Sequence, residues 1–191
     1  DEYAFWYCDN LRTINIPNTV TTIGNYAFAR CYNLASIILP DSVTSIGNHS
    51  FASCSSLATL QIGIGLSTFP FDAIYQCDQL ESIDVVSSNP YLYSRNGVLF
   101  KKISPGRMTL LRMPCRYSYL YRYTIPENVT SIEPFAFHLC SYLNYITIPA
   151  TVSSIGDLAF SQTRIARIEI PNSVTSLGQL AFANCPYLDT V

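Results

Sequence analysis

Several things are scarce in this 191-residue chain, and each scarcity closes a class of function. Charge is sparse, with Asp, Glu, Lys and Arg together only 13% of residues and a formal net charge of −2. A slightly acidic chain with no recognition motif beside its basic residues argues against nucleic acid as a partner. Histidine occurs twice, at His49 and His138, and there is no Cys-x-x-Cys pair, so no zinc ligand set can be assembled from spacing. No Gly-rich phosphate loop, paired-carboxylate motif or other metal spacing is present, and we expect no cofactor, no metal and no enzymatic activity. No apolar run approaches the ~18–20 residues that a membrane-spanning helix needs. The opening residues Asp1-Glu2-Tyr3 do not resemble a signal peptide.

What the chain has in abundance is itself. A motif of the form Leu-x-x-Ile-x-Ile-Pro-x-x-Val-x-x-Ile-Gly-x-x-Ala-Phe-x-x-Cys returns about every 23 residues. Cys8, Cys31, Cys54 and Cys77 keep that spacing, as do Phe5, Phe28, Phe51 and then Ile74. The phase resumes at Phe137 and Cys140, continues at Phe160, and closes with Phe182 and Cys185 after a repeat one residue shorter. Pro17, Pro40, Pro126, Pro149 and Pro171 mark another fixed position. A period of this length predicts a solenoid, whose function is sought on a surface rather than in a pocket. The sequence starts and stops within a repeat and neither end carries an obvious polar cap, so we expect a segment of a longer protein.

One repeat shows the folding logic. In Leu34-Ala-Ser-Ile-Ile-Leu39-Pro40 the residues Leu34, Ile37 and Leu39 point inward, the last two alternating as a short strand requires. Equivalent strands of successive coils are predicted to pair as a parallel sheet on one face. Pro40 ends the strand, because it has no N–H for the ladder. Val43 and Ile46 fill the core from the next side, and Gly47 is predicted to meet an unusual φ or a close approach of backbone. Phe51 and Cys54 pack a short helical or irregular segment on the convex side. The seven cysteines do not read as a disulfide framework, because identical phase stacks their side chains in a column where a thiol acts as a small hydrophobe. Thr163 occupies the same slot after Cys140. Only Cys115, off that column, reads as a reactive or pairing thiol.

The stretches Ile16-Pro-Asn-Thr-Val-Thr-Thr-Ile-Gly-Asn-Tyr-Ala-Phe28-Ala-Arg-Cys31 and Ile170-Pro-Asn-Ser-Val-Thr-Ser-Leu-Gly178 resemble the BspA-like, Treponema-type leucine-rich repeat. That resemblance covers essentially the whole chain and implies a leucine-rich-repeat solenoid. It also implies a surface or secreted protein of a host-associated bacterium or a protozoan parasite such as a trichomonad, acting in adhesion to host cells or matrix proteins. The family offers no catalytic residues to carry over.

Between Val85 and Glu127 the period fails. We place repeats at 1–85 and 117–191 of a single solenoid domain, with an irregular hairpin-like insert at about 86–116. Asn96-Gly97 beside an alternating apolar stretch is a hairpin turn signal. Thr109–Pro114 reads either as the return strand or as a strand that rejoins the main sheet. Residues 85–126 hold Arg95, Lys101, Lys102, Arg107, Arg112, Arg116 and Arg122 and no acidic residue, whereas the remainder has four basic and thirteen acidic side chains. Tyr91, Tyr93, Tyr117, Tyr119, Tyr121 and Tyr123 crowd the same region. Arginine with tyrosine on a protruding element suits anionic partners such as acidic glycans or acidic protein patches. The alternative is that these charges solvate a hairpin and several of the tyrosines are core.

The register also names the outward columns of the expected concave sheet. One reads Thr13, Ser36, Thr59, Ser82, Arg122, Tyr145, Arg167 and Thr190; its neighbour reads Asn15, Ile38, Gln61, Asp84, Thr124, Thr147 and Glu169. Tyr and Arg are favoured interface anchors, so Arg122, Tyr145 and Arg167 are the candidate contact residues, with Asp84 and Glu169 supporting them. His49 and His138 each lie near the Phe of the convex side, without an obvious Ser or Cys nucleophile beside them. The functional expectation is a recognition module that binds host cell-surface or extracellular-matrix proteins, or anionic glycans. Two other readings are open: end-to-end self-association into fibres, and an intracellular scaffold, which reduced thiols would suit. Glycosylation at Asn48-His-Ser50 or Asn128-Val-Thr130 would count against the scaffold.

Overall fold

The computed structural model describes residues 1–114, 116 and 121–190. The chain packs as two compact units, Asp1–Leu99 and Phe100–Val191. Each is a stack of coils joined by parallel strands, and no helix occurs among the described residues. The segments expected to be helical or irregular are runs of turns.

In the first unit the strands Ser36–Leu39, Thr59–Ile62 and Ser82–Val85 form one parallel sheet. Ser36 lies beside Thr59 and Thr59 beside Ser82; Ile38 lies beside Gln61 and Gln61 beside Asp84. Ile37, Leu39, Leu60, Ile62 and Ile83 alternate with these and are buried. A second, two-stranded parallel sheet pairs Thr22–Ile23 with Ser45–Ile46 on another side of the coil. Between the two lies the aliphatic core, closed on the third side by rings: Phe5, Phe28 and Phe51 stack at 5.0 and 5.6 Å. A Cβ on Gly47 would stand 2.5 Å from the backbone nitrogen of Asn25, so the glycine is there for close approach of two coils and not for an unusual φ.

The convex turns carry a feature that the sequence does not announce. In most coils two residues, one before the small Ala-type position and one before the Cys position, are left-handed, as in Tyr26 and Arg30, His49 and Ser53, Leu158 and Gln162, whereas the coil ending at Cys77 keeps only Gln76. Each such non-glycine residue costs about 1–2 kcal/mol. The geometry turns alternate amides toward the next coil, so Tyr26, Phe28 and Arg30 donate N–H to the carbonyls of Asn48, Ser50 and Ala52 at 2.7–3.0 Å. The ladder of hydrogen bonds between coils holds the strained residues in place.

The second unit repeats the scheme. Arg122–Thr124 pairs in parallel with Tyr145–Thr147, and single bridges extend that face from Tyr145 to Arg167 and on to Thr190. On the other side Arg107–Arg112, Val129–Ile132, Ser154–Ile155 and Ser176–Leu177 run parallel in that order. The first four residues of Thr109–Pro114 thus lie in a strand that returns beside Val98–Ser104, as one expectation had it, and pairs with Val129–Ile132 on its other edge; that is the second sheet of the coil, not the one carrying the outward columns. Asn96 and Gly97, both at positive φ, make the tight turn between Leu92–Arg95 and Val98–Ser104, which leads through Pro105-Gly106 into Arg107–Arg112. Phe137, Phe160 and Phe182 continue a ring stack at 4.9 and 5.2 Å.

Candidate recognition surface

The outward columns named from the register are adjacent strand positions in each unit. In the first unit the face is hydroxyl-rich and carries Asp84, whose carboxylate accepts a hydrogen bond from Ser82 Oγ at 2.8 Å. Asp84 therefore belongs to a different unit from the other four candidates.

In the second unit Arg122, Tyr145 and Arg167 sit side by side on successive strands, with Arg122 and Arg167 exposed. The Arg122 guanidinium lies 4.6 Å from the Tyr145 ring centroid, a cation–π contact, and Tyr121 packs at 5.2 Å on the same ring. Arg122, Tyr145, Thr147, Arg167, Glu169 and Pro171 line a shallow open cleft of roughly 420 Å³. Among the described residues, no carboxylate forms an ion pair with Arg122 or Arg167. A further column flanks this face and was not read from the sequence: Tyr142 (63% exposed), Arg164 and Tyr187 (56%), with Arg164 5.7 Å from the Tyr187 ring. Its signal was the residue before the leading Leu or Ile of each repeat, a position that is outside the strand.

The basic insert divides. Arg95, Lys102, Arg107 and Arg116 are exposed and Lys101 is half-buried. Arg112 is not on the surface: it is 3% exposed, and its Nη1 donates to the carbonyl of Phe135 in the following coil. Alternation along Arg107–Arg112 points its even positions inward, which corrects the expectation that Arg112 joins a solvent-facing patch. Tyr91, Tyr93 and Tyr121 are exposed, whereas Tyr123 packs against Phe137. Cys115, Tyr117 and Tyr119 lie outside the described residues.

The histidines have partners that spacing alone did not suggest, because stacking brings residue i beside residue i+23. His49 Nδ1 is 3.1 Å from Asp72 and its ring stacks on Tyr26. His138 Nδ1 donates to Ser161 Oγ at 2.5 Å, while Ser161 Oγ donates to the Leu158 carbonyl. His138 and Ser161 are both buried, so the pair is a packing contact rather than an exposed nucleophile with its base. Burial holds the His138 imidazole below its ordinary range; the nearby Arg112 charge acts in the same direction and a hydrogen bond to Ser161 opposes it.

The cysteine column is buried from Cys31 to Cys77, and each thiol also donates a hydrogen bond. Cys31, Cys54 and Cys77 reach the carbonyls of Phe5, Phe28 and Phe51 in the preceding coil, each at 3.1 Å. Thr163 keeps a donor in the slot, giving its hydroxyl to Phe160. Burial pushes the Cys31 thiol up to about 11 and the Cys54 thiol up to about 12. Among the described residues there is no group of three or more metal-binding side chains and no helix long and apolar enough to cross a membrane.

Stacked coils of about 23 residues, each giving a strand to a shared parallel face and aliphatic side chains to a common interior, define a leucine-rich-repeat solenoid. The chain belongs to the BspA type leucine-rich repeat region family, whose pattern matches residues 1–98 and 115–191 in six copies. A leucine-rich cell surface protein of Faecalibacterium prausnitzii has a similar structure, with 25% identity and a TM-score of 0.68 over 98% of this chain and 61% of that one. A leucine-rich repeat protein of Eubacterium ventriosum matches with 25% identity and a TM-score of 0.68, over 88% of this chain and 56% of that one. The pneumococcal vaccine antigen PcpA shares the fold at 20% identity and a TM-score of 0.59, over 89% of this chain and 53% of that one. The chain thus spans less than two thirds of the length of these proteins. No curated protein sequence matches it significantly.

Proposed function

We propose that this chain is a non-enzymatic recognition module of a surface-exposed or secreted adhesin-like protein, binding host or matrix partners through its sheet face and basic insert. The observation that carries this reading is the row Arg122, Tyr145 and Arg167, which presents two guanidinia without ion-pair partners among the described residues and an aromatic ring on one exposed face. Natural solenoids bind through such extended faces, and Arg and Tyr are enriched among the few residues that dominate binding energy. The similarity to a bacterial leucine-rich cell surface protein supports the surface location.

The test is binding of the purified chain to immobilised matrix proteins and anionic glycans at low and physiological salt. One variant set carries Arg122→Glu and Arg167→Glu; the other carries Lys101→Glu, Lys102→Glu and Arg107→Glu. Loss with the first set places recognition on the sheet face. Loss with the second, with steep salt dependence, places it on the insert. Binding that neither set changes overturns both.

A further inference from the structure

Resting on the sheet-face reading above, we infer that the cleft around Tyr145 takes an acidic sugar: a pyranose bearing a carboxylate or a sulfate, within or at the end of an oligosaccharide. Four features of one surface converge on that chemistry. First, Arg122 and Arg167 stand on strands two apart, about 9.6 Å, and neither guanidinium has a carboxylate partner among the described residues. A planar fork of N–H donors matches a carboxylate or sulfate in two-point contact. The cation–π contact with Tyr145 restrains the Arg122 guanidinium, so part of the cost of ordering that donor is met before the ligand arrives.

Second, Tyr145 and Pro171 supply flat apolar surface in a cleft that is open rather than deep. Such a surface suits the C–H face of a sugar ring, whereas a protein anchor residue wants an enclosed, desolvated pocket. Third, Thr147 borders the cleft and offers a hydroxyl for a ligand rich in hydroxyls of its own.

The fourth feature is the most selective. Glu169 lines the same cleft as the two arginines. A site for a dense polyanion, such as a polyglutamate tract or a phosphate chain, gains nothing from a carboxylate and loses by repulsion. An acidic sugar presents hydroxyl donors beside its anionic group, so it satisfies Glu169 and the guanidinia together. The mixture of charges thus favours carbohydrate over acidic peptide.

The experiment is calorimetric titration of the whole chain with four probes: a hyaluronan hexasaccharide (carboxylate only), a heparin hexasaccharide (sulfate and carboxylate), 3′-sialyllactose (one terminal carboxylate) and a polyglutamate peptide. At least one of the three sugars is expected to bind, and which one binds identifies the source of the acidic group. Arg167→Gln is expected to weaken that sugar about tenfold, as loss of a charge-assisted hydrogen bond does. Glu169→Gln is expected to weaken the sugar while strengthening polyglutamate, and this opposite pair of shifts is the signature of the mixed site. Polyglutamate binding more tightly than every sugar, or Glu169→Gln strengthening all four probes, overturns the proposal and leaves a simple cationic patch. No sugar binding, together with a matrix protein stripped of its glycans still being lost on Arg122→Gln and Arg167→Gln, overturns the sugar and leaves the recognition reading standing. Indifference of every probe and of the stripped protein to these variants removes both.

Discussion

At the scale of single residues, the fold depends on what each repeat position permits its neighbour coils to do. The Phe carbonyl of one coil accepts the Cys31-type amide of its own turn and the thiol of the next coil, so cysteine is retained as a small, buried donor. Sequence phase reveals the column and its burial, but the hydrogen bond could be found only in three dimensions. Ser50 shows the converse. It stands in a column otherwise held by Ala27 and Ala73, is fully buried, and its hydroxyl has no acceptor among the described residues. Burying an unsatisfied hydroxyl costs about 1–3 kcal/mol, so Ser50→Ala is expected to raise unfolding stability by about 1 kcal/mol. Denaturant unfolding of the two proteins would show it, and a lower midpoint for the alanine form would contradict the orphaned hydroxyl. The same burial means that any transfer of a glycan to Asn48 has to read Ser50 before the coil closes.

At the scale of the element, the coil was legible in the sequence and the insert largely was not. Strand phase, inward residues and both outward columns follow from a 23-residue period and alternation, and Ile37, Leu39, Ile62 and Asp84 lie where that arithmetic puts them. The left-handed pairs in the turns were invisible, because they are filled by Tyr, Arg, His and Leu rather than by glycine. Arg112 was misplaced for a related reason: charge alone suggests exposure, and only the pairing of Arg107–Arg112 with Val129–Ile132 fixes which of its side chains turn inward. Asn89 stands in Ser87-Ser88-Asn89-Pro90, a run whose composition suits an exposed turn. It is instead buried, donating to the carbonyls of Gly63 and Leu66 at 2.8 and 3.0 Å and accepting from the amides of Tyr91 and Leu92 at 2.8 Å. That amide ties the start of the insert to the preceding coil, beside the bonds from the Ile83 amide to the Gly97 carbonyl and from the Val85 amide to Ser94 Oγ. Asn89→Ala leaves four backbone groups short of a partner and is expected to cost about 3–5 kcal/mol. Hydrogen exchange should show protection lost first at residues 89–98; unchanged protection there would remove Asn89 from its anchoring role.

At the scale of the molecule, the two units differ in charge and in what they bury. The first holds three basic and eight acidic side chains, the second eight and five. Unit one buries the thiols of Cys31, Cys54 and Cys77, whereas unit two, among its described residues, buries the single thiol of Cys140 and, in addition, His138 with Arg112 nearby. Unit one should therefore lose stability on the alkaline side, and unit two should lose it on the acid side as well. The Cys31 and Cys54 thiols are raised from 9.0 to about 11 and about 12 in the fold. A raised thiol contributes stability that is whole below pH 9.0 and is lost as pH climbs through 11 to 12, since the unfolded chain releases those protons first. Each proton released on unfolding steepens the loss by about 1.4 kcal/mol per pH unit. His138 is lowered from 6.5, so its contribution is present above that value and is lost as pH falls below it, when the unfolded chain binds the proton more readily. Trp6, the single tryptophan, lies in unit one, so its fluorescence follows that unit alone. The denaturation midpoint read from Trp6 should be level from pH 7 to 8.5 and fall by pH 10.5. Replacing Cys54 by Ala should flatten that fall. Exchange protection in residues 129–162, followed between pH 7 and 5, should drop for the wild type and stay level for His138→Gln. An acid loss that survives in His138→Gln, or an alkaline limb that ignores the thiols, would assign the pH dependence to other groups.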